Sequence, residues 1–282
     1  MDQKNGIYNN SYLSDGRQGA PNTYGNAIRV EPNNLSDVEK GIGTSNGQNG
    51  QWGDFNLLSD KFQRIKFIRK VYLILTTQLI FTFGVVSIFV LVEPIKEFTK
   101  TQAGFICYLV SYLIFVTFLL ITFCSCCNEL RKVPYNYFLL GGITLTMTYM
   151  LGMISAYHKT EIVFIAIGIT LLVSLGVTVF AMQTKYDFTK NCGFFLLFLS
   201  LAVIGFGIAC LFSIRYIPIM QAVYGGLGAL LMSLYLAYDT QLVMGNKKYQ
   251  LNPEEYINAA LQIYLDVCYI FLYILRMMGA SK

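Results

Sequence analysis

The chain has 282 residues, of which 55% are hydrophobic and only 13% are charged, and its mean hydropathy is +0.50. A soluble domain would carry about 25% charged residues, so this composition excludes an ordinary soluble protein and indicates several membrane crossings. The net charge of +5 falls mostly in predicted loops and follows the positive-inside rule, so no nucleic-acid partner is needed to explain it.

The N-terminal part of the chain is polar. Residues 1–53 are rich in Asn, Gly, Ser and Asp and lack apolar periodicity, which predicts a disordered cytosolic tail. The first twenty residues contain no apolar core behind a basic start, so we expect no cleaved signal peptide. Residues 54–70 alternate apolar side chains with Lys and Arg, and we predict a basic amphipathic helix at an anionic membrane surface.

Seven later stretches each reach the roughly 20 apolar residues that span a bilayer. The sequence therefore predicts an all-α membrane protein, a seven-transmembrane helix bundle within residues 71–282. The predicted spans are residues 71–92, 103–124, 138–157, 162–182, 193–214, 216–244 and 256–276.

Lys and Arg predict the orientation of these spans. Of the 21 basic residues, eleven flank the spans on the side of the membrane where the first span begins. Six flank the spans on the opposite side, and four lie in the N-terminal tail. This bias predicts a cytosolic N-terminus and a lumenal C-terminus.

Asp239 and Asp266 are lone carboxylates inside the last two predicted spans. An ionisable group within a membrane span is costly, so it marks a functional site by default. The rise of about 1.5 Å per residue puts both at similar depth, near the cytosolic edge.

Two neighbouring carboxylates cannot both ionise cheaply and tend to share a proton. They would also attract a hard cation such as Ca²⁺. The alternative is that each Asp only hydrogen-bonds a neighbouring helix.

A polar seam runs along the seventh predicted span, which indicates a helix inside the bundle whose seam lines a path. Tyr235, one turn before Asp239, is predicted to hydrogen-bond at the same site. The seam comprises Glu255, Asn258, Gln262, Asp266, Tyr269, Tyr273 and Arg276.

Other polar residues are weaker candidates. Glu93 and Glu97 are predicted to form an outer vestibule or, alternatively, to be solvated loop residues. Thr76, Thr77 and Gln78 are predicted to hydrogen-bond between helices, and His158 is predicted to be an ordinary loop residue. Three cysteines that close the second span are candidates for palmitoylation or simply small apolar residues: Cys124, Cys126 and Cys127.

Several function classes are excluded by what the sequence lacks. A single histidine excludes an HExxH zinc site, and a seventh span without Lys excludes a retinal Schiff base. No GxSxG motif or P-loop occurs, and we expect neither an enzyme nor a bound cofactor.

Five segments within residues 60–278 are distinctive: RKVYLILTTQL, CCNELRKVPYNYFLL, FAMQTKYDFT, AYDTQLVMG and NPEEYINAALQIYLDVCYIF. They resemble the Bax inhibitor-1 (transmembrane Bax inhibitor motif) family, and most closely its Lifeguard branch. The resemblance implies a seven-helix bundle with the last helix central, and a pH-sensitive Ca²⁺ leak out of internal stores that accompanies suppression of cell death. It also implies that the family's paired acidic residues correspond to Asp239 and Asp266.

The sequence thus predicts a Ca²⁺ leak channel of the endoplasmic reticulum or Golgi, gated by protonation of Asp239 and Asp266, with Ca²⁺ bound only transiently. Its expected partners are the lipid bilayer, Ca²⁺, H⁺ and apoptosis-regulating membrane proteins. Two alternatives stay open at this point: a non-conducting interaction protein that restrains apoptosis through partners, and a proton-coupled cation exchanger.

Overall fold

The computed structural model describes residues 51–123, 135–213, 218–245, 251 and 255–279, and these residues contain helices but no strand. Residues 1–50 of the predicted tail and the three cysteines at 124–127 lie outside this range. In chain order the helices are α1 (Gln51–Leu91), α2 (Glu93–Thr99), α3 (Gln102–Phe123), α4 (Tyr135–Ser155), α5 (Thr160–Gln183), α6 (Phe188–Asn191), α7 (Gly193–Ser213), α8 (Pro218–Met244) and α9 (Tyr256–Gly279).

Seven of these helices are long and apolar enough to cross a membrane, which confirms the predicted fold class. They are α1 from Lys61 onward, α3, α4, α5, α7, α8 and α9, and each coincides with a predicted span. The two remaining helices, α2 and α6, are short connections of seven and four residues.

Helix α1 differs from the prediction at its start. It begins at Gln51, so the last three residues assigned to the disordered tail are helical. The basic approach of residues 54–70 is not a separate helix but runs into the first span without a break. The physical reason is that neither Gly nor Pro occurs between Gly53 and Gly84 to interrupt the backbone hydrogen bonds.

Helix α9 is the centre of the bundle, as predicted. It packs against α8, α1, α5 and α4. In its most apolar stretch 72% of the residues are buried, against 11–50% in the other six spans. The outer helices instead expose large apolar side chains such as Leu172 and Phe194, which suits contact with lipid tails.

Two glycines let α8 and α9 approach closely. A Cβ atom at Gly225 would lie 2.7 Å from both the Tyr273 carbonyl oxygen and the Met277 amide nitrogen of α9. A Cβ atom at Gly228 would run into the ring of Tyr273. Small residues at such crossings bring two backbones together in a membrane, where packing drives helix association. These contacts fix the register in which α8 faces α9.

We predict that Gly225→Ala destabilises the fold by about 1–3 kcal/mol, because the added methyl group meets backbone atoms that cannot move aside cheaply. Thermal unfolding in detergent measures the effect. Gly226→Ala is the matched control, since its Cβ atom would lie 3.7 Å from the Met277 sulfur and gains the same helix propensity. Equal unfolding midpoints for the two variants would contradict this packing account.

Candidate ion and proton site

The structure brings the two predicted carboxyl groups together. Asp239, near the end of α8, and Asp266, in the middle of α9, are in side-chain hydrogen-bond contact. Asp266 is only 5% exposed, and Asp239 is half-buried. The contact follows from the antiparallel packing of α8 on α9, whose register the glycines described above set. Proximity at a shared depth, expected from the sequence, is therefore present.

This contact has a chemical consequence. Ionised carboxylates only accept hydrogen bonds, so a bond between two carboxyl groups requires that one of them carries a proton. A hydrogen bond between the two groups therefore forms only when the pair holds one or two protons. Loss of that proton would remove the bond and leave two negative charges side by side in the bundle.

Two buried oxygen atoms of α9 have no hydrogen-bond partner within the described residues. They are Asp266 Oδ2 and, one turn earlier, Gln262 Oε1. Unpaired buried oxygen atoms are uncommon in folded proteins and call for water, an ion or a functional role. Both are oxygen atoms of the kind that hard cations bind.

Gln241 holds the end of α8 that carries Asp239. Its amide is fully buried, and its Oε1 accepts a hydrogen bond of 2.9 Å from the Phe188 backbone N–H. Its Nε2 donates to the carbonyl oxygens of Tyr186, at 2.9 Å, and Ala181, at 3.3 Å. The side chain therefore joins α8 to the end of α5 and the segment that leads into α6.

Arg64 of α1 holds the same end of α8 from another direction. Its Nη2 donates to the Leu242 carbonyl at 2.7 Å, and its Nη1 donates to the Leu251 carbonyl at 2.6 Å. Leu242 lies in the last turn of α8, where carbonyl groups lack helical partners and the helix dipole favours a cation. Gly245 follows with a positive φ of 66°, and a Cβ atom there would strike the Arg64 guanidinium. Only glycine adopts this positive φ without strain and also leaves room for the guanidinium.

The C-terminal part of the predicted seam, from Tyr269 to Arg276, lines a cavity. Tyr269, Tyr273 and Arg276 of α9 border a space of about 370 Å³ together with His158 and Tyr224. Tyr269 is three residues beyond Asp266, or about 4.5 Å along the helix axis. The cavity therefore begins about one turn beyond the carboxyl pair and continues to the far end of α9. Roles for these residues in an ion path stay predictions.

Tyr235 packs against a small cluster with Leu196 and Leu231 between α7 and α8, and its role at the carboxyl pair stays a prediction. The prediction that Thr76 and Thr77 bond between helices was wrong, because both bond back to carbonyl groups of their own helix. The reason is local: a threonine hydroxyl readily reaches the carbonyl four residues before it.

Gln78 does bond between helices, as predicted, with its Nε2 donating to the Thr144 hydroxyl of α4 at 2.7 Å. One turn further along α1, the Thr82 hydroxyl lies 2.9 Å from the hydroxyls of both Thr148 and Tyr264. This buried network ties α1 and α4 to the central helix. Sequence reasoning missed it, although the four-residue spacing of Gln78 and Thr82 was a visible signal.

Glu93 and Glu97 lie on α2, which packs against α1 and α3 rather than against α8 and α9. Both carboxylates are exposed, and Glu97 forms an ion pair of 2.7 Å with Lys100. That hydrogen bond raises the pKa of Lys100 above its ordinary value. The vestibule role is not tested by this geometry, but Lys100 offsets the charge of Glu97 and the two acids lie apart from the buried pair.

Among the described residues no cluster of three or more His, Cys, Asp or Glu side chains could hold a metal ion. A second cavity, of about 500 Å³ between α1 and α4, is lined mainly by apolar side chains, with Thr77, Tyr137 and the paired Gln78 and Thr144 as its polar groups. Its lining contains no Asp, Glu, His, Lys or Arg.

These features define a class: a membrane protein with seven spanning helices, in which the central last helix, α9, and its neighbour α8 bring two carboxyl groups together. A family model described as "Inhibitor of apoptosis-promoting Bax1" matches residues 64–282. Protein lifeguard 3 of Homo sapiens is 39% identical over 263 residues, which cover 93% of this chain and 82% of that protein.

Two further relatives extend the comparison. Protein lifeguard 3 of Mus musculus is 39% identical over 244 residues, covering 86% of this chain and 76% of its own length. Protein LIFEGUARD 3 of Arabidopsis thaliana is 31% identical over 219 residues, covering 77% and 85%. The chain belongs to the Bax inhibitor family of membrane proteins, as its motifs predicted, and it is similar to the lifeguard proteins within it.

We predict that Arg64→Met destabilises the protein by about 1.5–3 kcal/mol, because two carbonyl oxygens lose a charged donor. The midpoint of thermal unfolding measures the loss. Arg69→Met makes the same chemical change at an exposed position of the same helix and should leave the midpoint nearly unchanged. If the two variants unfold alike, Arg64 does not hold the end of α8.

Proposed function

We propose that this protein is a Ca²⁺-permeable leak channel of an intracellular membrane, opened by deprotonation of the Asp239–Asp266 pair, and that it suppresses cell death by lowering stored calcium. The single observation that carries the proposal is the hydrogen-bond contact between two carboxyl groups inside a membrane-spanning bundle. Such a contact makes the geometry of the bundle depend on a proton.

Electrostatics supports the direction of gating. With a proton between them, the two carboxyl groups hold α8 against α9 and carry at most one negative charge. Without it, they repel each other and together attract a divalent cation. Cation flux should therefore rise as pH rises through the range in which the pair releases its proton.

The small number of protein ligands supports permeation rather than storage. Tight Ca²⁺ sites supply six to eight oxygen ligands, whereas the two carboxyl groups of the pair supply at most four. A cation here would keep part of its water shell and leave readily. Conduction requires such weak binding at a site that the ion can still enter.

A route through the bundle is supported by the cavity beyond the pair. Tyr269 and Tyr273 carry the polar seam from Asp266 to the end of α9. At the other end of the pair, Arg64 and Gln241 hold the last turn of α8 in place. With the predicted cytosolic N-terminus, that held end faces the cytosol and the cavity faces the lumen of the endoplasmic reticulum or Golgi.

Suppression of cell death rests on the family and not on the site. The matching family is described as an inhibitor of apoptosis-promoting Bax1, and that description comes to this chain as part of the proposal. Apoptosis-regulating membrane proteins are the partners that it suggests.

We predict that Asp239→Asn and Asp266→Asn each abolish most of the pH dependence of Ca²⁺ flux between about pH 6 and 8, because either change removes the shared proton. Purified protein in liposomes loaded with a Ca²⁺ indicator measures this directly. The double variant should add little to either single one, since residues that act as a unit are not additive.

The control is Glu161→Gln, which removes an exposed acid in the first turn of α5 and should leave the pH profile intact. Three outcomes would contradict the proposal. Absence of flux without added partners favours a non-conducting interaction protein. Flux that requires an opposing proton gradient favours an exchanger. An unchanged pH profile in both Asp variants leaves the carboxyl pair with a structural role only.

A further inference from the structure

The cavity at the far end of α9 contains a guanidinium, whose positive charge would oppose cation passage there unless an anion balances it. It is formed where α4 and α9 finish, and its polar lining consists of Arg276, His158 and the tyrosines Tyr224, Tyr269 and Tyr273. Within the described residues no Asp or Glu side chain lies within 4 Å of Arg276 to form an ion pair with it.

Arg276 is held in a fixed orientation by a neutral side chain. Gln221 Oε1 accepts hydrogen bonds from Arg276 Nε at 2.8 Å and from Nη2 at 2.6 Å. Gln221 is itself 8% exposed and anchored, because its Nε2 donates to the Cys210 carbonyl at 3.1 Å. The guanidinium also stacks over the Tyr224 ring, 4.7 Å from its centroid.

This arrangement leaves donors for a ligand. Gln221 uses Nε and one N–H of Nη2, so both N–H groups of Nη1 stay unused by it. The hydroxyls of Tyr224 and Tyr273 lie 3.5 Å from each other on the same wall, and both can turn toward an acceptor. A guanidinium that is already oriented loses little conformational freedom when it binds an anion.

The remaining walls indicate where such an anion comes from. Ile154, Leu272 and Leu275 provide an apolar surface beside the guanidinium. The cavity lies at the end of a membrane-spanning helix, and Arg276 is in its last turn. Phospholipid head groups lie at this level of a membrane, and planar guanidinium groups bind phosphate oxygens in pairs.

We infer that this cavity binds a phosphate-type oxyanion, with Arg276 as its charged ligand, Tyr224 and Tyr273 as hydroxyl donors and Gln221 as the positioning residue. The sources of this chemistry are the phosphate of an anionic phospholipid or free inorganic phosphate. The inference does not depend on ion flux through the carboxyl pair. A bound anion would also offset the positive charge that otherwise faces the cavity.

The test measures binding to the purified full-length chain in detergent by native mass spectrometry, with thermal unfolding as a second readout. The probes are dioctanoyl phosphatidic acid, dioctanoylglycerol, which has the same chains without a phosphate, and inorganic phosphate alone. We expect the phosphatidic acid to bind at least about tenfold more tightly than dioctanoylglycerol, the gain expected of a charged hydrogen bond.

Arg276→Gln should remove that preference. Gln221→Glu provides a second test: it keeps an acceptor for Arg276 and balances the guanidinium charge, although it loses the Nε2 donor to the Cys210 carbonyl, and it should also weaken the preference about tenfold or more. The matched control is Lys159→Gln, which removes one positive charge at an exposed position next to His158 and outside the cavity lining. It should bind as the unaltered protein does.

The outcomes separate the two sources. Phosphatidic acid binding that depends on Arg276, without binding of inorganic phosphate, supports a lipid head group. Binding of inorganic phosphate with the same dependence supports a soluble anion at the same site. The inference is overturned if phosphatidic acid and dioctanoylglycerol bind alike, if neither Arg276→Gln nor Gln221→Glu changes binding, or if Lys159→Gln weakens it as much as they do.

Discussion

A single hydrogen-bonded contact, between the carboxyl groups of Asp239 and Asp266, is the constraint on which the rest of this structure depends. Burying two acids in a membrane-spanning bundle is costly unless they are paired and share a proton. The fold meets that need by bringing α8 and α9 close at Gly225 and Gly228 and by fixing the end of α8 with Gln241 and Arg64. The close approach of α8 to α9 and the anchored end of α8 therefore keep the two carboxyl groups adjacent.

The spans, the central position of α9 and the carboxyl pair could all be predicted from the sequence, for physical reasons. A spanning helix needs about 20 apolar residues, and a charged group within one stands out against that background. A polar seam on one helix, at intervals of three or four residues, shows that the helix faces protein. Hydropathy, an isolated charge and helical periodicity are properties of single segments, so they can be identified from the sequence without knowing how the segments pack.

Contacts between segments are harder to predict from the sequence. Arg64 belongs to a basic amphipathic pattern, which does not reveal that its guanidinium donates to the carbonyl oxygens of Leu242 and Leu251 far along the chain. Helical spacing predicts Tyr235 at the acid pair, and the structure shows its ring packed against a cluster between α7 and α8. Periodicity identifies a face of a helix; it does not say which neighbour that face meets.

The most direct test of the central claim is an infrared titration of the purified protein, which follows the C=O stretch of protonated carboxyl groups. The account predicts a band from a buried carboxylic acid that persists at neutral pH, disappears as the pH is raised, and is shifted or lost in both Asp239→Asn and Asp266→Asn. If no such band is present at any pH from weakly acidic to alkaline, or if neither variant alters it, the two carboxyl groups do not share a proton.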